Sequence, residues 1–220
     1  MRPNKSPQPA NSRATEHFGP QLYCPQWSRL MAPIARNPSR RAVFLDRDGT
    51  VVEDAGYLTD PSQLKLLPGT VAGIRLLQDQ FLILMVTNQS AVARGLLDEE
   101  GLLSIHQELA TALYSRGALL DAVYACPHHP DRVQCHCRKP QPGLILQARD
   151  DFGIQLGSSF MIGDKGSDIV AGQQAHVAAT VLIASRRTDS GLPPDIRPTY
   201  VASNLFEAAQ LILDHWTING

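Results

Sequence analysis

At 220 residues, with an apolar fraction of 43% and a charged fraction of 19%, the chain has the size and composition of one well-packed soluble domain. A formal net charge of −1 argues against a polyanion-binding surface spread over the molecule. No apolar run nears the ~20 residues that a bilayer-spanning helix needs, so the expectation is a cytoplasmic protein with no membrane and no nucleic-acid partner.

Residues 1–40 read differently from the rest. They are rich in Pro, Ser, Asn and Arg, and Glu16 is the sole acid before Asp46. Neither apolar periodicity nor a secretory h-region is present there. The expectation is a disordered basic leader, with translation from Met31 as the alternative, followed by a folded domain over 41–220.

From Ala42 the text alternates. Short apolar runs at 42–46, 81–87, 121–126, 159–163, 180–184 and 199–202 have the length and the Val/Ile/Phe content of strands buried on both faces. Between them, 69–78, 98–116, 143–153, 167–176 and 204–215 carry helical patterning, with Asp98 as an N-cap ahead of Glu99 and Glu100. Strand and helix in alternation predict an α/β fold, a doubly wound parallel sheet of Rossmann-like type.

Several strand ends carry chemistry. The first closes on Asp46-Arg47-Asp48-Gly49-Thr50, two carboxylates two residues apart with a glycine to turn the chain away. The second ends in Thr87-Asn88-Gln89-Ser90, the fourth in Gly163-Asp164-Lys165-Gly166-Ser167-Asp168, and Lys139 follows the third within Arg138-Lys139-Pro140. Open α/β sheets bind ligands at this carboxyl edge, so acids, a hydroxyl and a lysine are expected to converge there. Such oxygen ligands suit Mg²⁺, which would screen the acids from one another and from a phosphate.

Cysteine usage supplies a second constellation. Cys24 stands apart, whereas Cys126, Cys135 and Cys137 crowd together with His128, His129 and His136. Three thiolates and one imidazole fill a tetrahedron with no open position, so the expected metal is a structural Zn²⁺ in a reducing compartment.

The Asp46-x-Asp48-Gly49-Thr50, Thr87, Lys139 and Gly163-Asp164-x-x-x-Asp168 motifs stand in the order and strand context of the haloacid dehalogenase superfamily. The chain resembles these phosphotransferases from about Val43 onward. The resemblance implies that Asp46 is a nucleophile forming an aspartyl phosphate, and that Asp48 is the general acid and then the general base. It implies that Thr87 and Lys139 hold the transferring phosphoryl group. Mg²⁺ would be bound by Asp46, Asp164 and the backbone carbonyl of Asp48. Asp168 is left open between a supporting role and a helix cap.

Neither inter-motif gap has room for a cap domain. The capless pattern with a Cys126, His128, Cys135, Cys137 zinc loop resembles two subfamilies, the D-glycero-D-manno-heptose 1,7-bisphosphate phosphatases and the histidinol-phosphate phosphatases. Asp54-Ala55-Gly56-Tyr57, the Thr87–Ser90 string with Ala93-Arg94-Gly95, and Cys126-Pro127-His128-His129-Pro130 favour the first. The short His128–Cys135 loop has the length of the second. The resemblance to the heptose enzymes implies a small phosphorylated sugar as substrate. Contacts would come from Asp54, Gly56, Tyr57, Asn88, Gln89, Ser90, Arg138 and Lys165. With no sustained heptad, a monomer is expected. A catalytically silent, zinc-stapled binding module is the rival from another class; it would have no need of Asp48.

Overall fold

The computed structural model describes residues 40–184 and 191–219. Residues 1–39, which hold Cys24 and Met31 and nearly all of the expected leader, lie outside the described residues. Six strands, β1 (Ala42–Leu45), β2 (Leu82–Asn88), β3 (Ala122–Cys126), β4 (Phe160–Gly163), β5 (Ala179–Ile183) and β6 (Tyr200–Ala202), form one sheet in the order β3-β2-β1-β4-β5-β6. Every neighbouring pair is parallel. Helices α1 (Thr70–Leu77), α2 (Glu99–Tyr114), α3 (Gly143–Phe152), α4 (Gly166–Gln174) and α5 (Leu205–Asn219) connect or follow the strands.

Strand period decides the layers. Val43, Leu45, Ile83, Met85, Phe160 and Ile162 face one side, where Ile74 and Leu77 of α1, Leu109 and Leu113 of α2, and Ala208 and Ile212 of α5 close over them. Phe44, Leu84, Val86, Tyr124 and Met161 face the other, under Leu144, Ile145 and Ala148 of α3 and Ala171 of α4. The central strands are buried on both faces, which is why they read as unbroken apolar runs. Strand order reverses between β1 and β4, and that reversal opens a crevice at their carboxyl ends.

The α/β expectation holds, and the elements start and stop close to where the sequence places them. Asp98 caps α2, accepting from the Gly101 amide at 2.8 Å. One helix differs: α5 runs on past 215 to Asn219. Trp216 explains it, because its indole packs on the core edge-on to Phe81, with ring centroids 6.3 Å apart, and lies 4.0 Å beneath the Arg41 guanidinium. Between β1 and α1 the chain makes only isolated bridges (Asp48 to Val52, Val52 to Leu66) and a short 3-10 turn, so no cap domain stands over the crevice in this segment. No helix among the described residues is long and apolar enough to cross a membrane.

Candidate active site

Asp46 leaves β1 at the switch point, and its backbone N–H donates to the Ile162 carbonyl of β4 at 3.0 Å. Asp164 follows β4 directly. Gly49 has φ +83°, and a side chain there would run into the Asp164 carboxylate, so a glycine is required for the β1 and β4 loops to meet. Asp46, Asp164 and Asp168 are all buried, and each offers an oxygen within 4.8 Å of the others'.

Lys139 enters this group from the loop after β3. Its Nζ lies 2.5 Å from Asp46 Oδ1 and 2.6 Å from Asp168 Oδ1, and donates to the Val86 carbonyl at 2.7 Å. Burial opposes its charge, but Asp168 and Asp46 outweigh burial and hold its pKa above the ordinary lysine value. Burial pushes Asp46 upward despite the lysine. Asp164 is raised to about 7, by burial first and by the charge of Asp46 second, and its Oδ1 has no partner. One lysine does not balance three buried carboxylates, and a buried oxygen without a donor marks where a cation belongs. The donor set fits Mg²⁺.

The two open roles of Asp168 prove compatible. Oδ1 pairs with Lys139 while Oδ2 accepts from the Lys165 amide at 3.0 Å, which caps the first turn of α4. Asp168 thus has a partner on each oxygen and supports the lysine, whereas Asp164 Oδ1 has none.

The remaining motif residues divide into two groups. Thr87 is fully buried at the end of β2, with Oγ1 accepting from Gln89 Nε2 at 2.8 Å. Asp48 lies outside the acid cluster, 3.0 Å from the Arg47 guanidinium. Asn88 pairs reciprocally with the Lys139 backbone, donating to its carbonyl and accepting from its amide, both at 3.0 Å. Gln89 is 4% exposed and points inward. As struts, Asn88 and Gln89 were not legible in the sequence; strand period alone does not say where an amide points once the ladder ends.

The outer residues form a rim. Asp54 accepts from the Gly56 amide at 2.9 Å and from Lys165 Nζ at 3.0 Å. Burial raises its pKa, yet the Gly56 amide and Lys165 together hold it below the usual carboxylate value. Gly56 turns with φ +77°, and Tyr57 is 45% exposed with the Arg94 guanidinium 5.6 Å from its ring centroid. Ser90 is half-buried at the turn after β2. Arg138 donates to the His128 carbonyl at 3.3 Å.

Next to this rim the four expected zinc ligands come together, with His128 taking the histidine place. Cys126 Sγ lies 3.5 Å from His128 Nδ1, 3.7 Å from Cys135 Sγ and 3.2 Å from Cys137 Sγ. Bonds of about 2.3 Å to a tetrahedral Zn²⁺ place two thiolates roughly 3.8 Å apart, so the cluster needs only slight expansion to hold the ion. The thiol hydrogen bond from Cys137 outweighs burial and lowers the Cys126 pKa to about 5, favouring the thiolate that binds metal.

Comparison with known proteins agrees with this geometry. The HAD-hydrolase-like family model matches residues 136–208. The D-glycero-beta-D-manno-heptose-1,7-bisphosphate 7-phosphatase of Pasteurella multocida (strain Pm70) is 36% identical over 181 residues, 79% of this chain and 97% of the relative. The protein of that name from Yersinia pestis is 41% identical over 149 residues, 64% of this chain and 79% of the relative. The crystal structure of the D,D-heptose 1,7-bisphosphate phosphatase from B. bronchiseptica, complexed with magnesium and phosphate, superposes with a TM-score of 0.70 at 33% identity. That match covers 80% of this chain and 99% of the other. With its acid cluster at the switch point and relatives matched over nearly their full length, the chain belongs to the D-glycero-beta-D-manno-heptose-1,7-bisphosphate 7-phosphatase family of haloacid dehalogenase-like hydrolases.

Proposed function

We propose that the chain is a magnesium-dependent phosphatase that removes the 7-phosphate of D-glycero-D-manno-heptose 1,7-bisphosphate, on the route to activated heptose for lipopolysaccharide. The observation that carries this reading is the buried Asp46–Lys139–Asp168 array beside the unpartnered oxygen of Asp164. Asp46, Asp164 and the Asp48 carbonyl would hold Mg²⁺, which supplies charge neutralisation for the incoming phosphate and keeps Asp46 ionised.

The Asp46 carboxylate attacks phosphorus, and the bond from phosphorus to the sugar oxygen breaks. Asp48 gives that oxygen its proton. In the second half Asp48, now a carboxylate, takes a proton from water as the water oxygen attacks the aspartyl phosphate; inorganic phosphate leaves and Asp46 is restored. Lys139 and Thr87 hold the non-bridging oxygens throughout, placing positive charge and a hydroxyl where negative charge accumulates. Asn88 fixes the main chain from which Lys139 projects. Cys126, His128, Cys135 and Cys137 would hold a structural Zn²⁺, and the loop so fixed would set the approach of Arg138 and Lys139. This reading places the enzyme in the cytoplasm as a monomer.

The rim bears on the choice of substrate. His129 is held below its ordinary pKa by burial and then by Arg94 and Arg132, against Asp131, with Arg138 adding to the arginines. A cationic rim suits the retained phosphate of a bisphosphate and repels the ammonium group of histidinol phosphate. Asp54, Tyr57, Ser90 and Lys165 border the same opening and would contact the sugar.

Phosphate release from both anomers of heptose 1,7-bisphosphate and from histidinol phosphate, with Mg²⁺, tests the reading. A heptose preference is expected, with loss of roughly 10⁴-fold or more in Asp46→Asn. Preference for histidinol phosphate would overturn the substrate, and activity surviving in Asp46→Asn would overturn the mechanism.

A further inference from the structure

Beside the acid cluster lies a buried polar group that the two half-reactions leave unused. Arg47 is 1% exposed, and both its Nε and its Nη2 lie 3.0 Å from Asp48 Oδ1. Nη2 also donates to Gln89 Oε1 at 2.9 Å. Gln89 returns the contact: its Nε2 lies 2.9 Å from Asp48 Oδ2 and 2.8 Å from Thr87 Oγ1. Each oxygen of the Asp48 carboxylate is therefore held by a different side chain, and those two side chains are bonded to each other.

The pairing follows from charge and burial. A guanidinium cannot shed its proton, and both contacts of the buried Arg47 with Asp48 fall on Oδ1; Oδ2 meets the neutral Gln89 amide and is the oxygen from which the proton of the first half-reaction would be given. His106 of α2 does not compete. It is buried with Nε2 unpartnered, and burial, then the Arg47 charge, lower its pKa to about 3, so the ring stays neutral. An aspartate at a strand end otherwise has free rotation about two torsions. Donors on both oxygens select one rotamer. Gln89 Nε2, shared with Thr87 Oγ1, ties that rotamer to a group placed at the phosphoryl position.

We infer that Arg47 and Gln89 are positioning residues that hold the Asp48 carboxylate in register with the phosphoryl group for both of its proton transfers. The inference rests on the proposed roles of Asp46 and Asp48. It takes Gln89 out of direct substrate contact and gives Arg47, a residue between two motif acids, a task of its own.

Leaving-group kinetics with the Mg²⁺-loaded enzyme separate positioning from general damage. Nitrophenolate departs without a proton, so phosphoenzyme formation from p-nitrophenyl phosphate does not need Asp48, whereas hydrolysis of the phosphoenzyme still does. In Gln89→Met and Arg47→Met, kcat/KM for the alkyl sugar phosphate should fall about 10- to 100-fold, and for the aryl phosphate by no more than about threefold. Rapid mixing with the aryl substrate should then show a burst of nitrophenol approaching one per active site, followed by a slow phase. Asp48→Asn should give the same pattern in stronger form. Equal losses of kcat/KM on both substrates, with no burst, would overturn the positioning role. Should Arg47→Met fail to fold, Gln89→Met carries the test, since it leaves the Arg47–Asp48 pair in place. Failure of the underlying mechanism looks different: Asp46→Asn would then still release nitrophenol.

Discussion

The acid cluster and the cysteine–histidine loop are held together in opposite ways. Asp46, Thr87, Lys139, Asp164 and Asp168 come from separate segments of chain, and the parallel sheet brings them to one edge. Their geometry is fixed by strands that are buried on both faces, so the fold has made the site before any ion arrives. The four thiol and imidazole ligands span only 126–137; Cys126 is buried at the end of β3 and Cys135 and Cys137 pack partly against the core, but residues 130–134 between them are exposed and without strand or helix. A bound metal would do there what packing does at the sheet edge. The two regions meet at Cys137-Arg138-Lys139, where the cysteine–histidine loop leads the lysine into a site assembled by the sheet.

Among changes that leave the acid cluster itself intact, the largest effect of this comparison should come from breaking that junction. Stripping Zn²⁺, or Cys126→Ser, is expected to lower kcat by about 10- to 100-fold while far-ultraviolet circular dichroism stays close to that of the intact protein. Full activity in metal-stripped protein re-supplied with Mg²⁺ alone would mean that the loop does not govern Lys139.

Asn88 offers a finer cut, because it grips the Lys139 backbone from the β2 side. Asn88→Ala removes both 3.0 Å bonds and leaves zinc untouched, so kcat should fall about tenfold, with the zinc content of the purified protein unchanged. If activity were unaffected, the staple alone would place the lysine.

The smallest effect is on stability and belongs to the sheet-edge region only. His106 has a folded pKa of about 3, below the ~6.5 of an unfolded histidine, so between these values the unfolded chain binds the extra proton. Stability therefore rises with pH across that window and drains away on acidification. Relative to His106→Leu, the wild-type unfolding free energy should drop by up to about 1.4 kcal/mol for each pH unit below ~6.5. Denaturant titrations of the two proteins at matched pH would show parallel curves if the imidazole were charged in the native state.

Much of the site was legible in the sequence because its signals are local. Asp-x-Asp after an apolar run, a threonine closing the next strand and a Cys-x-His followed by a Cys-x-Cys each state their chemistry in a few residues. Asp168 was legible as a residue but not as a role. Whether its carboxylate caps a helix or holds a lysine depends on Lys139, distant in sequence, and both turn out to be true. Asn88 and Gln89 read as substrate contacts because they follow Thr87 at the open edge. The fold turns both side chains inward, onto the Lys139 backbone and onto Asp48.

What the sequence determined by itself was therefore the alternation of strands and helices and which residues gather at the sheet edge and in the cysteine–histidine loop. Period, capping and ligand chemistry act over a few residues and leave a local trace. Only the tertiary structure decided that Arg47 is buried against Asp48, that His106 stays neutral beneath it, and which amides hold the machinery in place. A hydrogen bond between residues 41 apart, such as Gln89 to Asp48, depends on where two strand ends fall relative to one another. The packing of the whole sheet sets that placement, and no short stretch of the chain encodes it.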